Sequence, residues 1–178
     1  MEITTERLIL REFRNDDFDA LRVIDSDAAI QRYRGARAIT PEMTRNYLER
    51  MQEWAAEVPR RYFMLAPTLR STGAMIGWLP LKIVDVAAAE AEIGWTIAPG
   101  YHGQGYATEM ARALLEVAFG ELQLHRVWAI CRTENVASYR VMEKLGMRRE
   151  AHYVECEYTD DTWRDLYRYA ILARESHR

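Results

Sequence analysis

The stretch EIGWTIAPGYHGQGYATE, residues 92–109, combines a strand, a glycine turn and the start of a helix. Apolar residues alternate with other residues over its first six positions, which predicts a β-strand that ends before Pro99. Gly103 and Gly105 predict a tight turn, and apolar residues at helical spacing follow from about Ala107. The other elements of the chain have to be arranged around this strand, turn and helix.

An element order of this kind forms an anion site. The first main-chain N–H groups of a helix lack partners inside it and lie at the positive end of its dipole. Glycines at positions 103 and 105 allow the backbone to close on a phosphate group without interference from a Cβ atom. The loop is therefore predicted to hold a phosphorylated ligand, and the helix behind it is expected to end with Gly120 as its C-cap.

Three kinds of protein use such a loop. A P-loop ends in Gly-Lys-Ser/Thr, whereas residues 106–108 are Tyr-Ala-Thr. A dinucleotide-binding fold carries its loop in repeating βαβ units near the start of its domain, whereas this loop lies in mid-chain after a predicted meander. Residues 102–107, HGQGYA, instead resemble the pyrophosphate loop of the GNAT N-acetyltransferases, Gln/Arg-x-x-Gly-x-Gly/Ala, from which His102 departs at the first position. A plain glycine turn between a strand and a helix is the alternative at this point.

The composition predicts a single globular domain over residues 1–178, because 49% of the residues are hydrophobic and 29% are charged. A net charge of −3 disfavours binding to nucleic acid, which needs a basic surface, and is compatible with a cationic acceptor such as an amine. Cys131 and Cys156 predict neither a metal site nor a disulfide framework. Since no signal peptide or membrane-spanning apolar run is apparent, we expect a soluble cytoplasmic protein without membrane contacts.

Periodicity and capping residues predict the remaining elements. Strands are expected at residues 7–11, 62–66, 74–84 and 126–132, and a closing hairpin at 147–157 and 163–172 with its turn at 159–161. Helices are expected from Asn15 or Asp16 to Ile24, from Pro41, capped by Thr40, to a residue before Pro59, and from Asn135 to Gly146. Together these elements predict an α+β (mixed α/β) fold with helices on both faces of a sheet of about seven strands.

A second motif lies at residues 135–147, NVASYRVMEKLGM. It resembles the N-x-x-S-x-x-x-x-E-K-x-G-F signature of the GNAT branch that includes the ribosomal-protein alanine N-acetyltransferases (RimJ/RimL-like), with Met147 in place of Phe. Taken alone, Asn135 and Gly146 are also ordinary helix punctuation. Both motifs occur in the family's order, with a helix and a strand between them, and residues 124–127 resemble the same branch. The chain is therefore identified as a member of the GNAT superfamily.

The resemblance implies how a cofactor is held. Acetyl-CoA is expected in a central splay of a mostly antiparallel, twisted sheet, between the Glu92 strand and the Arg126 strand. An N–H group near Ile97 is expected to stabilise the oxyanion of the reacting thioester, and no metal is needed. The implied contacts are main-chain groups near Thr96 and Ile97, loop residues His102, Gly103, Gln104, Gly105, Tyr106, Ala107 and Thr108, and the helix residues Asn135 and Ser138.

The catalytic groups follow from the same resemblance. Many GNAT enzymes place a tyrosine seven residues after the Asn to protonate the leaving thiolate, but that position is Met142 here. Ser138, near a helix N-terminus, is the substitute that the branch suggests, whereas Tyr139 fits better as a core aromatic residue. Glu157 and Glu92 are the two candidates for the base that accepts the proton of the amine.

The resemblance predicts acetyl transfer from acetyl-CoA to a primary amine, with a protein N-terminal α-amine as the acceptor that the branch favours. Two alternatives are open: a small-molecule amine such as a polyamine, an amino sugar or an amino-acid-like compound, and a non-catalytic acyl-CoA sensor. A homodimer is a habit of the family. Five aromatic residues are candidates for lining the acceptor pocket, namely Trp54, Tyr62, Trp78, Tyr158 and Trp163.

Overall fold

The computed structural model describes residues 1–34 and 39–176. Within these residues, nine strands form one sheet. The strands are β1 (Glu2–Thr4), β2 (Leu8–Glu12), β3 (Tyr62–Leu69), β4 (Gly77–Asp85), β5 (Glu90–Ile93), β6 (Thr96–Ile97), β7 (Arg126–Arg132), β8 (Arg148–Thr159) and β9 (Thr162–Leu172). The α-helices of the same residues are α1 (Phe18–Asp25), α2 (Ala28–Arg34), α3 (Pro41–Ala56), α4 (Tyr106–Gly120) and α5 (Val136–Lys144).

The strands are arranged in the order β1-β2-β3-β4-β5-β7-β9-β8, and β6 pairs with β4. Neighbouring strands are antiparallel except β5 and β7, which run parallel and are connected through α4. This arrangement confirms the predicted mixed fold. The sheet has two strands more than the predicted seven. The three-residue strand β1 was not predicted, and the strand expected at residues 92–97 is divided into β5 and β6.

Each face of the sheet has its own apolar core. On one face, α4 and α5 pack against buried residues that include Leu65, Ile93, Leu114, Val127 and Met142. On the other face, α1, α2 and α3 pack against β3 and β4 through a cluster that includes Leu21, Ile30, Leu48, Met64 and Trp78. The first three helices therefore cover only one half of their face. On the outward side of β5, β7, β8 and β9, a few buried residues such as Ala170 and Leu172 lie among half-buried and exposed side chains.

Several helix ends follow from local sequence. Thr40 caps α3 as predicted, because its hydroxyl accepts a hydrogen bond from the N–H of Met43 at 3.2 Å. The prediction that Asn15 or Asp16 caps α1 is wrong. Asp17 occupies the N-cap position of α1, but its carboxylate makes no hydrogen bond to the start of that helix. It accepts instead from the N–H of Arg14 at 2.7 Å, which closes the preceding turn at residues 15–17, and it also binds Arg11.

Two further differences concern α2 and α4. Sequence periodicity missed α2, a helix of seven residues. The carboxylate of Asp27 accepts from the N–H of Ala29 at 2.8 Å, and this acidic residue is the signal that could have located the helix start. Gly120 is the last residue of α4 rather than a C-cap. The left-handed backbone of this turn belongs to Gln123, with φ of 52°.

The strand pairing opens a gap in the middle of the sheet. β5 and β7 are paired at three positions, the last of which joins Glu92 to Trp128. Beyond this pair, β6 stays with β4 whereas β7 continues beside β9. β6 packs so close to β4 that a Cβ atom on Gly77 would lie 1.9 Å from the carbonyl oxygen of Thr96. Gly77 therefore lets β6 follow β4 and leave the edge of β7 unpaired.

Candidate active site

The glycine loop lies at the end of β6, beside this gap. Gly103 and Gly105 have φ angles of 73° and 85°, a left-handed region that glycine adopts at little cost. Gly105 directly precedes the first residue of α4, Tyr106. The main-chain N–H groups of residues 103–108 donate to no other group in the described part of the chain. The loop thus presents a set of unpaired donors at the positive end of a fifteen-residue helix.

Two side chains of the loop hold its shape. The Nε2 atom of His102 lies 2.7 Å from the carbonyl oxygen of Ile97, and because a carbonyl can only accept, the ring carries its proton on Nε2. The side-chain amide of Gln104 donates to the carbonyl oxygen of Gly100 at 3.2 Å. His102 thus has a structural partner, while the N–H groups that follow it remain unpaired.

The edge of β6 presents specific main-chain groups to the gap. The N–H of Ala98 donates to the carbonyl oxygen of Ile76, the residue before β4. Two residues before Ala98, Thr96 is paired with Trp78 of β4. In an antiparallel pair the hydrogen-bonded positions alternate, so Thr96 turns its main-chain groups toward β4. The N–H group of Ile97 points away from β4 and into the gap. Of the two expected main-chain contacts, Ile97 therefore faces the gap and Thr96 does not.

The start of α5 lies across the gap from this edge. The side-chain oxygen of Asn135 caps the helix by accepting from the N–H of Ser138 at 3.2 Å. Its amide nitrogen donates to no group among the described residues, so it is open to a ligand. The hydroxyl of Ser138 lies near the thiol of Cys131 on β7. Burial raises the pKa of Cys131 to about 11, and the neighbouring hydroxyl of Ser138 offsets only part of the effect.

Two neighbours of Ser138 have structural roles. Met142 is 1% exposed and belongs to the core under α5, so no proton donor is available at the position where many GNAT enzymes have tyrosine. Tyr139 packs against the same core and makes an edge contact with Tyr167, with 6.0 Å between the ring centres. Among the candidates on α5, Ser138 thus combines a hydroxyl group with a position in the first turn of the helix.

The opposite, partly open face of the sheet carries Glu92. This side chain is half-buried, and its carboxylate forms no hydrogen bond or ion pair with any residue that the structure describes. Burial raises the pKa of Glu92 above that of an ordinary glutamate, and the charges of Lys82 and Arg168 reduce the shift. Next to it, the indole N–H of Trp128 is buried without a hydrogen-bond partner. Arg168 lies over the Trp128 ring, 4.2 Å from its centre.

Glu157, the other candidate base, has a different environment. Its carboxylate accepts from the Nε of Arg132 at 2.7 Å. Arg132 is only 5% exposed, and its Nη1 donates to the main-chain carbonyl of Arg32 in α2 at 2.8 Å. Glu157 thus balances a buried charge that connects β7 to α2. The carboxylate of Glu157 is thus already engaged in a charge-assisted hydrogen bond with Arg132.

The aromatic residues proposed for the acceptor pocket are not in one place. Trp54 and Tyr62 line a surface cavity of about 450 Å³ at the end of α3, next to Lys82, whose strand neighbour is Glu92. Trp78 is buried in the core under α1 and α3. Tyr158 and Trp163 pack on each other at the tip of the β8–β9 hairpin, where both are more than half exposed. The cavity beside Lys82 is the part that lies close to Glu92.

Neither a metal site nor a membrane-spanning helix is found in the described residues. Among residues 1–34 and 39–176, His, Cys, Asp and Glu side chains form no group of three that could hold a metal ion. Within the same ranges, no helix has the length and apolarity needed to cross a bilayer. Both cysteines are free thiols, with Cys131 buried and Cys156 exposed.

Comparison with known proteins identifies the family. The model of the acetyltransferase (GNAT) domain matches residues 7–148, which include the loop, the gap and α5. The chain belongs to the GNAT family of acetyltransferases. The resemblance drawn from residues 102–107 and 135–147 is therefore confirmed, and the protein is an N-acetyltransferase. GNAT enzymes use acetyl-CoA, and the unpaired N–H groups of residues 103–108 fit its pyrophosphate.

Three relatives indicate how far the similarity extends. The N-acetyltransferase YnaD of Bacillus subtilis (strain 168), itself uncharacterised, is 37% identical over 98% of this chain and 99% of that protein. The structure of Mycobacterium smegmatis RimJ in complex with CoA-disulfide is 25% identical, with a TM-score of 0.83 over 96% of this chain and 84% of that one. A spermidine N(1)-acetyltransferase of Vibrio cholerae is 29% identical over 55% of this GNAT chain and 57% of that protein.

Proposed function

We propose that this GNAT enzyme transfers the acetyl group of acetyl-CoA to the α-amine of a protein N-terminus, by direct attack of the amine in a ternary complex. The observation that carries the proposal is the row of unpaired N–H groups at residues 103–108 beside the gap between β6 and β7. These groups would hold the pyrophosphate, and the amide nitrogen of Asn135 would bind the pantetheine region. The acetyl-CoA thioester would then lie next to the N–H of Ile97.

The N–H group of Ile97 supports the reaction electrostatically. It points into the gap because the neighbouring main-chain groups of β6 are paired with β4. A donor fixed in this way can stabilise the negative charge that develops on the thioester oxygen as the amine attacks. The carbonyl oxygen of Ile97 already accepts a hydrogen bond from His102. The N–H of Ile97 is therefore the main-chain group of this residue that is available to the substrate.

Glu92 is the better supported of the two candidate bases. Its carboxylate is half-buried and unpaired, and its pKa is raised toward the pKa of an amine. A smaller difference between the two pKa values makes the carboxylate a better proton acceptor. Glu157 is already bound to Arg132. An α-amine has a pKa of about 8, so roughly a tenth of it is neutral at pH 7 and only modest assistance is required. We therefore assign proton acceptance to Glu92, directly or through water, and a supporting role to Glu157.

Ser138 is proposed as the donor to the leaving thiolate of CoA. It lies in the first turn of α5, where the helix dipole favours negative charge. Its hydroxyl lies near the thiol of Cys131, which burial keeps protonated at neutral pH. Met142 is buried in the core and carries no proton to donate. Ser138 thus takes the role that a tyrosine has in many GNAT enzymes.

The choice of acceptor rests on the α5 motif and on the similarity to RimJ. A specific observation favours a second candidate, since the relative from Vibrio cholerae acts on spermidine by its name. The two classes differ in charge and in the pKa of the amine. A polyamine carries several cationic groups, whereas the cavity near Glu92 is lined by two basic side chains, Arg61 and Lys82, and one acidic side chain, Glu57. Even with Glu92 its charges only balance, so it lacks the excess of negative charge that a polyamine would require. This charge distribution favours an acceptor with a single amine.

Calorimetric titration with acetyl-CoA tests the proposal first, with NAD and ATP as control ligands. We expect one saturable site for acetyl-CoA alone. Gly105→Val should abolish this binding, because a β-branched residue is strained at a φ of 85°. Thiol release is then measured with N-terminal peptides and with spermidine. Turnover with spermidine but not with peptides would replace the proposed acceptor, and binding without turnover on any amine would indicate an acyl-CoA sensor.

A further inference from the structure

Arg7, just before β2, reaches the glycine loop from the other end of the chain. Its Nη1 donates to the carbonyl oxygen of Gln104 at 2.9 Å, and its Nε donates to the carboxylate of Glu109 at 2.6 Å. Its guanidinium carbon lies 4.3 Å from the centre of the Tyr106 ring. One side chain therefore contacts the loop, the first residue of α4 and the first turn of that helix.

Glu109 holds this arginine in place. Its carboxylate also accepts from the main-chain N–H of Arg7 at 2.9 Å and from the hydroxyl of Thr5 at 2.6 Å. Burial alone would raise the pKa of Glu109, but the hydrogen bonds from Thr5 and Arg7 outweigh it and bring the pKa below its ordinary value. The carboxylate is thus ionised at neutral pH and fixes both the backbone and the side chain of Arg7.

The contact with Gln104 determines where a neighbouring N–H group points. In a trans peptide the C=O of one residue and the N–H of the next are antiparallel. Because Arg7 binds the carbonyl of Gln104, the N–H of Gly105 is directed to the opposite side of the peptide plane. That N–H is one of the unpaired donors of the loop. Arg7 thereby orients a donor that it does not touch.

The glycine cannot fix this orientation by itself. Residues without a Cβ tolerate both left- and right-handed backbone angles, so the peptide between Gln104 and Gly105 could turn over at little cost. Only an external contact selects one orientation. We propose that Arg7, anchored by Glu109, is a positioning residue that holds this peptide with its N–H toward the pyrophosphate of acetyl-CoA. The inference rests on the proposed function of the loop.

The alternative explanation is that Arg7 attracts phosphate by its charge. The two explanations predict opposite signs for Glu109→Gln. Removal of a negative charge near an anion site should strengthen binding if charge alone matters. If Arg7 acts by position, the same change releases the guanidinium and weakens binding. Glu116→Gln is the matched control, because Glu116 lies on the same helix and makes no hydrogen bond or ion pair with the described residues.

The experiment is calorimetric titration of acetyl-CoA into the wild type, Arg7→Met, Glu109→Gln and Glu116→Gln, with the thermal midpoint of each. We expect Kd to rise roughly 10-fold for Arg7→Met and Glu109→Gln, a change of about 1.4 kcal/mol in binding free energy. For Glu116→Gln we expect an unchanged or lower Kd. Equal or tighter binding by Glu109→Gln would overturn the inference, whereas absence of binding by the wild type would overturn the proposed function.

If Arg7→Met does not fold, Arg7→Lys still tests the positioning role. Lysine retains the charge but has no planar fork to serve Gln104 and Glu109 together. The positioning role predicts that Arg7→Lys also binds acetyl-CoA more weakly than the wild type, and that the amides of residues 103–106 gain less protection from hydrogen exchange than in the wild type when acetyl-CoA is saturating. If Arg7→Lys has the affinity and the hydrogen exchange of the wild type, Arg7 contributes only its charge and the positioning role is wrong.

Discussion

Glu92 and Trp128 are the last residues that face each other on β5 and β7 before the two strands part. Neither the carboxylate of Glu92 nor the indole N–H of Trp128 has a hydrogen-bond partner among the described residues. An unpaired buried donor costs about 1–3 kcal/mol, and such groups gather at sites where a ligand or water completes the hydrogen bonds. The point where the sheet opens is therefore also the point where its polar groups are unsatisfied.

Glu92→Gln should lower kcat about 100-fold if Glu92 accepts the proton of the amine. Only the ionised carboxylate is a base, so wild-type kcat/KM should rise with pH through the raised pKa of Glu92. In the variant this rise should be absent, and only the deprotonation of the acceptor amine near pH 8 should remain. The measurement is the pH dependence of kcat/KM with a peptide acceptor.

The same variant should not be less stable at pH 8. Folding raises the pKa of Glu92, so the charged form is disfavoured in the folded protein and ionisation costs stability above that pKa. Glutamine removes this cost. A thermal midpoint equal to or above that of the wild type, together with a large loss of kcat, is the expected combination. A rising limb that persists in Glu92→Gln would assign the base to another group.

Ser138→Ala should reduce kcat roughly 10- to 100-fold. This loss is small for the removal of a general acid, because a thiolate is a good leaving group that needs little help from a proton donor. Binding of acetyl-CoA should stay within about 3-fold of the wild type, since the helix cap is made by the side chain of Asn135. The exposed Ser71 provides the control Ser71→Ala. Normal turnover in Ser138→Ala would remove Ser138 from the mechanism.

Much of the fold was predictable because its signals are local. Thr40 and Pro41 mark a helix start by capping and by the fixed φ of proline. Gly146 has a φ of 79°, as expected for a glycine that ends a helix. The turn of the closing hairpin lies at Asp160 and Asp161, whose φ angles of 50° and 55° suit a two-residue turn. Each of these features depends on neighbours within a few residues.

The remaining part of the site depends on contacts between distant residues. Arg7 and Glu109 are 102 positions apart in the sequence, and no local pattern connects them. The pairing of Glu92 with Trp128 requires the crossover through α4, so the unpaired indole could not be located before the strand order was known. The ion pair of Glu157 and Arg132 likewise joins residues that are distant in the sequence. Because of this pair, Glu157 is interpreted as a partner of Arg132 rather than as an unpaired base.

Glu157→Gln should affect stability more than the shape of the pH profile. It leaves the buried guanidinium of Arg132 without its counter-charge, which we expect to cost about 1–2 kcal/mol, less than for a fully buried pair because Glu157 is 40% exposed. The thermal midpoint should fall by about 2–8 °C. Glu53→Gln, in the exposed pair with Arg50, should change it little. Loss of the rising limb of kcat/KM in Glu157→Gln would make Glu157 the base.

The two thiols should differ sharply in reactivity. Burial raises the pKa of Cys131 to about 11, so at pH 8 only about one molecule in a thousand carries the thiolate at this position. Cys156 is exposed on β8 and its thiol is accessible to reagents. With a disulfide reagent such as dithionitrobenzoate, the folded protein should release one equivalent of thiolate quickly and the second only on unfolding. Cys156→Ser should remove the fast phase and Cys131→Ala should retain it, whereas a fast phase in Cys156→Ser would mean that the region around Ser138 opens to solvent.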